Sequence, residues 1–158
     1  MMNILKKLPV GVSTLAEIVN NNCVYVDKTK FVADLAMNKY YFLSRPRRFG
    51  KSLFLDTLKQ AFLGNKEIFK GVYLENNWDW DIKYPVIHVD LGQGVVKSEE
   101  QLDSILNTIL DRYYDEYQIE NRYTEMSSRF RYLIDEIKVK YNQQVVILVD
   151  EYDKPILD

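Results

Sequence analysis

Hydrophobic residues fall along this chain in two kinds of pattern, short unbroken aliphatic runs and longer stretches with helical spacing. Val145-Val146-Ile147-Leu148-Val149 is five consecutive aliphatic residues, mostly β-branched, and predicts a strand buried on both faces of a parallel sheet. Val86-Ile87-His88-Val89-Asp90, started by Pro85 and ended at Gly92-Gln93-Gly94, predicts a second strand. Tyr40 to Ser44 predicts a third and Cys23 to Val26 a short fourth. Between them lie the helical patterns. Thr14-Leu15-Ala16-Glu17 fits a capping box for a short helix over 15–20, and Asp27 can cap a helix over 28–37. A third helix runs over 51–62, ended by Gly64-Asn65. Two long amphipathic helices follow. One spans about 99–117, capped by Ser98, with Leu102, Ile105, Leu106, Ile109 and Tyr113 on one face. The other spans about 124–140, with Phe130, Leu133, Ile134 and Ile137 inward. Residues 66–73 predict a short helix or turn, the Trp-rich 76–84 a loop, and Pro155 argues against a helix over 152–158. Strands alternating with helices predict an α/β domain of three layers, helices flanking a parallel sheet.

Chemistry concentrates where two of these runs end. After Tyr40-Tyr41-Phe42-Leu43-Ser44 comes the basic turn Arg45-Pro46-Arg47-Arg48-Phe49, and Gly50-Lys51-Ser52 then opens a helix. A helix N-terminus carries unpaired N–H groups and partial positive charge, which suits phosphate. Gly50 lets the backbone approach an anion, Lys51 can reach β/γ-phosphates, and the Ser52 hydroxyl can ligate Mg²⁺. The full P-loop pattern wants another Gly five residues before Gly50, where this chain has Arg45. At the other run, Val145 to Val149 leads into Asp150-Glu151, placing acids at the strand end where α/β ligands bind. Asp150 is the candidate Mg²⁺ holder, directly or through water, and Glu151 the candidate that polarises an attacking water. The pair reads as Walker A over 45–52 and Walker B over 145–151.

Bland readings stand beside these. Gly50-Lys51-Ser52 alone is an ordinary helix start, and Asp150-Glu151 alone a solvated strand end. Arg45, Arg47 and Arg48 could neutralise a triphosphate, contact nucleic acid or pair with surface acids; bidentate geometry suits Arg to phosphate, and the loop position favours a nucleotide. Asp153 either orients the site or caps a turn. His88 reads as a strand residue and Cys23 as a small buried hydrophobe.

Composition changes this picture little. The 158 residues allow one domain with a real core, and a net charge of -2 gives no global signal for nucleic acid or membrane. One Cys and one His exclude an intrachain disulfide and argue against a Cys/His zinc site. No run approaches the ~20 apolar residues of a membrane span, and no signal peptide is visible, so the chain reads as cytoplasmic.

With Tyr25-Val26-Asp27-Lys28-Thr29, Arg45-Pro46-Arg47-Arg48-Phe49-Gly50-Lys51-Ser52 and Asp150-Glu151-Tyr152-Asp153-Lys154-Pro155 in place, the chain resembles the AAA-ATPase-like family from about Leu8 onward. The resemblance implies a P-loop ATPase domain, spanning 1–158 as its N-terminal part, with a sheet incomplete at its C-terminal end. It makes the missing first Gly a family trait and adds Phe49 to the nucleotide-binding stretch. It further implies ATP and Mg²⁺ as cofactors, and complete relatives that hydrolyse ATP and continue into a restriction-endonuclease-like nuclease domain. Later strands, a polar sensor and an arginine finger have no counterpart here, so the expectation for this chain acting alone is ATP-Mg binding with weak or absent hydrolysis. Its expected partners are a nucleotide and either a homo-oligomer or a protein that completes the sheet. The second expectation, of another class, is a non-hydrolysing nucleotide-binding or structural interaction module. A third, weaker one is nucleic-acid binding through Arg47-Arg48.

Overall fold

The computed structural model describes residues 6–37, 39–44, 46, 48–92 and 98–153. The chain divides into two compact units, Met1–Lys83 and Tyr84–Asp158.

In the first unit, α1 (Leu15–Asn20), α2 (Lys30–Leu35) and α3 (Lys51–Phe62) are followed by short 3-10 helices at Lys66–Phe69 and Tyr73–Asn76. Helix α3 buries Phe54, Thr57, Leu58 and Ala61, the i, i+3, i+4, i+7 stripe of an amphipathic helix. Thr57 satisfies its buried hydroxyl by donating to the Leu53 carbonyl at 2.7 Å. The capping box expected at Thr14 does not form. Thr14 makes no side-chain cap, and Asp56 of α3 accepts the Leu15 N–H at 2.7 Å instead. Helix α2 starts later than expected for a similar reason. Asp27 Oδ1 accepts from both the Thr29 N–H (2.8 Å) and hydroxyl (2.7 Å), and its Oδ2 accepts the Tyr73 N–H at 2.7 Å. Fully buried Thr29 in turn accepts the Leu74 N–H at 3.1 Å. Asp27 is thus a latch between the start of α2 and the second 3-10 helix. Partial burial raises its pKa, but the bonds from Thr29 and Tyr73 outweigh that and hold it below the usual carboxylate value. Phe62, Phe69, Trp78 and Trp80 close this unit with edge and tilted ring contacts at 5.0–6.3 Å.

Two strand expectations fail in this unit. Tyr40 to Ser44 pairs with no described strand and has no strand conformation, and Tyr40 and Phe42 are 91% and 70% exposed. Cys23 forms one isolated bridge to Lys7, and 24–26 is irregular.

In the second unit, β1 (Val86–Asp90) and β2 (Val146–Asp150) pair in parallel, Val86 opposite Val146 through Asp90 opposite Asp150. The crossover carries α4 (Glu99–Glu116) and α5 (Met126–Tyr141). Ile87, Val89 and Leu91 share a core with Leu110, Tyr113, Tyr114 and Tyr117 of α4 and its end, and with Leu133 and Ile137 of α5. Ser98 caps α4 through the Gln101 N–H, as its sequence position predicts. Glu125 caps α5 by accepting from Ser127 and Ser128 N–H and from the Ser127 hydroxyl. The two helices are tied by buried Arg129, whose guanidinium bonds Asn107 and Asp111 while the Tyr114 hydroxyl donates to its carbonyl at 2.7 Å. The fold class is therefore mixed helix and strand with a small parallel sheet of two strands among the described residues. The expectation that β2 is buried on both faces also fails. Ile147 and Val149 are 41% and 45% exposed, although their register partners Ile87 and Val89 on the same face are 0% and 7% exposed. Among the described residues no helix is long and apolar enough to cross a membrane.

The far edge of β1 is held by side chains. The Tyr117 hydroxyl accepts the Val86 N–H at 3.0 Å and donates to the Val86 carbonyl at 3.1 Å. Tyr113, one helical turn earlier, does the same at His88 with 2.7 and 3.1 Å. Burial pushes the Tyr117 pKa up to about 12, partly offset by its bond to Val86.

Tyr117→Phe strands a nearly fully buried N–H and carbonyl at Val86, so it should cost about 1–3 kcal/mol in urea unfolding of the chain. Glu125 behaves oppositely with pH. Hydrogen bonds from Ser127 and then Ser128 lower its pKa to about 2 from an unperturbed 4.5. Its contribution to stability is complete above pH 4.5 and fades as pH falls toward 2. Unfolding midpoints of Glu125→Gln should therefore fall less steeply across that window than those of the parent.

Candidate functional site

The Gly50-Lys51-Ser52 expectation lands on the start of α3, the longest helix of the first unit. Pro46 accepts the Phe49 N–H at 3.4 Å, closing a turn, and the chain then swings into α3 through Gly50 at φ +74°. That is the left-handed region, which a side chain occupies at a cost. A Cβ placed on Gly50 would meet no described atom within 4 Å. No side chain caps α3, and its first turn holds no acid. By contrast α4 has Ser98 with Glu99 and Glu100, and α5 has Glu125. The first N–H groups and the positive end of the α3 dipole are thus free of an internal anion among the described residues. Lys51 and Ser52 are half-buried on the first turn, and no described hydrogen bond or ion pair engages the Lys51 ammonium or the Ser52 hydroxyl. Arg48 and Phe49 are exposed beside them, Arg48 also at positive φ, +66°. Arg45 and Arg47 lie outside the described residues.

The acidic half lies in the second unit. Asp150 is the last residue of β2, half-buried, with Oδ1 accepting the Glu151 N–H at 2.9 Å. Glu151 is exposed and sits at φ +52°. Among the described residues five non-glycine positions have positive φ: Asn22, Gln118 and Asn142 follow the ends of helices, whereas Arg48 and Glu151 fall in the two motifs. Sequence reasoning passed over one neighbour. Asp90 ends β1 in register with Asp150, and its Oδ1 accepts the Gly92 N–H at 2.8 Å. A Cβ on Gly92 would come within 2.9 Å of that oxygen and 3.2 Å of Glu151 Cγ, so a small residue is needed there. The signal was legible, since Val-Asp closes both aliphatic runs, at 89–90 and 149–150. Asp153 is half-buried and Lys154 to Asp158 lie outside the described residues.

These groups suit a metal-bound nucleotide in kind. A hydroxyl and carboxylates are the hard oxygen donors that Mg²⁺ takes, and Mg²⁺ on a nucleotide keeps only one or two protein ligands. Among the described residues there is no group of three or more His, Cys, Asp or Glu close enough to hold a metal.

A helix start without an internal anion, preceded by a basic turn, thus stands in the first unit, and a strand-end carboxylate of a parallel pair in the second. The sequence profile of the family described as predicted AAA-ATPase matches residues 9–158, and the chain belongs to this AAA-ATPase-like family. It is 43% identical over 155 residues to the "Uncharacterized protein in vnfD 5'region" of Azotobacter chroococcum mcd 1, covering 97% of this chain and 30% of that protein. The chain thus spans under a third of that relative's length. No solved structure matches it.

Gly50→Ala should lower stability by about 1 kcal/mol, through the left-handed backbone alone, because the added methyl has room. Thermal unfolding beside a Gly11→Ala control, also at positive φ with open space, would check it.

Proposed function

We propose that this chain is an ATP-Mg²⁺-binding P-loop domain, in which the start of α3 holds the phosphates. The observation that carries the reading is the uncapped, acid-free N-terminus of α3 behind a left-handed Gly50, with Lys51 and Ser52 on its first turn. Backbone N–H groups at 50–52 would donate to phosphate oxygens, and Lys51 would pair with the β/γ-phosphates. Arg45, Arg47 and Arg48 with Phe49 would flank the triphosphate from the preceding turn. Ser52 and Asp150 are the residues proposed to hold Mg²⁺, which when bound neutralises phosphate charge. Glu151 is the residue proposed to orient a water for in-line attack.

Hydrolysis belongs in this reading to longer family members; weak or no turnover is the expectation for these 158 residues alone. The wider three-layer sheet, the nuclease fusion and a cytoplasmic setting are parts of the same proposal. The partner it calls for is either a second copy or a protein that completes the sheet. The non-hydrolysing interaction module remains the second reading, favoured by the half-exposed Ile147 and Val149 on a two-stranded sheet.

Calorimetric titration of ATP with Mg²⁺, and of GTP beside it, separates the readings. The parent should bind, and Lys51→Ala should weaken binding at least about tenfold, equivalent to about 1.4 kcal/mol. Ser52→Ala should keep residual binding but lose its Mg²⁺ dependence. A folded parent that binds no nucleotide, or binds equally well without Lys51, would overturn the proposal.

A further inference from the structure

The proposed function leans on Glu151, and among the described residues no hydrogen bond or ion pair engages its carboxylate. Glu151 is exposed, and an exposed Glu ordinarily spreads over several rotamers, at an entropic cost whenever one has to be chosen. What lies against its side chain is the segment that leaves β1. Pairing runs one residue past the strand, with the Leu91 N–H donating to the Asp150 carbonyl at 3.2 Å. Asp90 Oδ1 then accepts the Gly92 N–H at 2.8 Å, closing an Asx turn. The turn brings the Gly92 backbone onto Glu151. A Cβ built on Gly92 would stand 3.2 Å from Glu151 Cγ, 3.6 Å from Glu151 Cβ and 2.9 Å from Asp90 Oδ1.

Glycine is required by that approach, not by its own backbone. Among the described glycines, Gly11, Gly50, Gly64 and Gly71 sit at positive φ, where side chains are strained. Gly92 does not, so its backbone is open to an alanine and only space forbids the methyl. The methyl would meet Asp90 Oδ1, which the Gly92 N–H itself holds in place, and the middle of the Glu151 side chain rather than its flexible end. Glu151 is also fixed from its own backbone. Its N–H donates to Asp150 Oδ1 at 2.9 Å, and its φ of +52° is a left-handed conformation that glycine takes at less cost. A strained residue with a bare backbone pressed to its side chain is a group held in place for use.

We infer that Gly92 is a positioning residue: the bare backbone of the turn after β1 is a seat that holds the Glu151 side chain to one rotamer. Asp90 acts one step further back, by closing the turn. The use of the seat rests on the proposed role of Glu151 in orienting water. Orientation of an attacking water matters at the reaction step, and holding the phosphates at α3 does not draw on it. Loss of the seat therefore slows attack and leaves nucleotide affinity unchanged.

NMR on the purified chain without nucleotide tests the seat. In the parent, the Hα–Hβ couplings of Glu151 should report a single rotamer, and its Hγ protons should show a nuclear Overhauser contact to the Gly92 α-protons. Gly92→Ala adds bulk to the seat, and Asp90→Ala opens the turn without adding any. Each should leave Glu151 averaged over rotamers or moved to another, while slow exchange of the Leu91 and Val146 amides shows that the strands still pair. A Glu151 already averaged in the parent, or unmoved by either one of the substitutions, would overturn the inference. Nucleotide supplies the second arm. Gly92→Ala should bind ATP with Mg²⁺ within about twofold of the parent, where Lys51→Ala loses about tenfold. Its single-turnover hydrolysis, with chain in excess of ATP, should fall at least about tenfold, toward that of Glu151→Gln. An unchanged rate, or ATP affinity lost along with the rate, would overturn the inference. A parent that binds no ATP would sink the proposed nucleotide site instead, and the rotamer result would still decide whether Gly92 holds Glu151.

Discussion

Every backbone N–H and carbonyl of a buried strand has to find a partner, and the second unit of this protein is arranged around that demand. Its two strands satisfy each other along their inner edges. At Val86 and His88 the outer edge of β1 is satisfied by two tyrosine hydroxyls, each able to accept and donate at once, which no Phe at those positions could do. For those hydroxyls to reach, α4 must lie at one angle and depth against β1. That position in turn fixes which residues of α4 enter the core with Leu133 and Ile137 of α5. Arg129 holds the helix pair together from the other side, bonded to Asn107 and Asp111.

The first unit answers the same demand with carboxylates. Asp56 takes a helix N–H of α1, and Asp27 takes two N–H groups and a hydroxyl from two separate segments. The Tyr25 to Thr29 motif therefore has a structural reading that accounts for Asp27 and Thr29 directly. Among the described residues the start of α3, where the motif places Gly50, Lys51 and Ser52, has no side-chain cap and no acid in its first turn. An N-terminus so rich in donors and so poor in internal acceptors suits an external anion.

Much of this was legible in the residues. Helix α3 and strand β1 fall at the ends read from their patterns, and α4, α5 and β2 within one to two residues of them. All five combine a strong periodic or aliphatic pattern with a clear terminator. The Ser98 cap was legible too, whereas the Thr14 capping box does not form and a distant carboxylate, Asp56, holds the Leu15 N–H of that helix start. Asp27 was read as a local cap, but its second oxygen serves Tyr73, 46 residues away. Asp90 escaped notice because an acid ending a strand gains meaning only when the register of the next strand is known.

By itself the sequence determined where the long helices and the two aliphatic strands run, the family, and the residue types set at the start of α3 and the end of β2. These depend on periodicity, terminators and local chemistry, all written in consecutive residues. Tertiary structure decided what depends on partners. Tyr40 to Ser44 has strand composition yet takes no strand conformation. Tyr113 and Tyr117 have core spacing, yet their hydroxyls close a sheet edge, and β2 is left half-covered on one face. Backbone hydrogen bonds and burial belong to pairs of segments, and a single chain pattern names only one member of each pair.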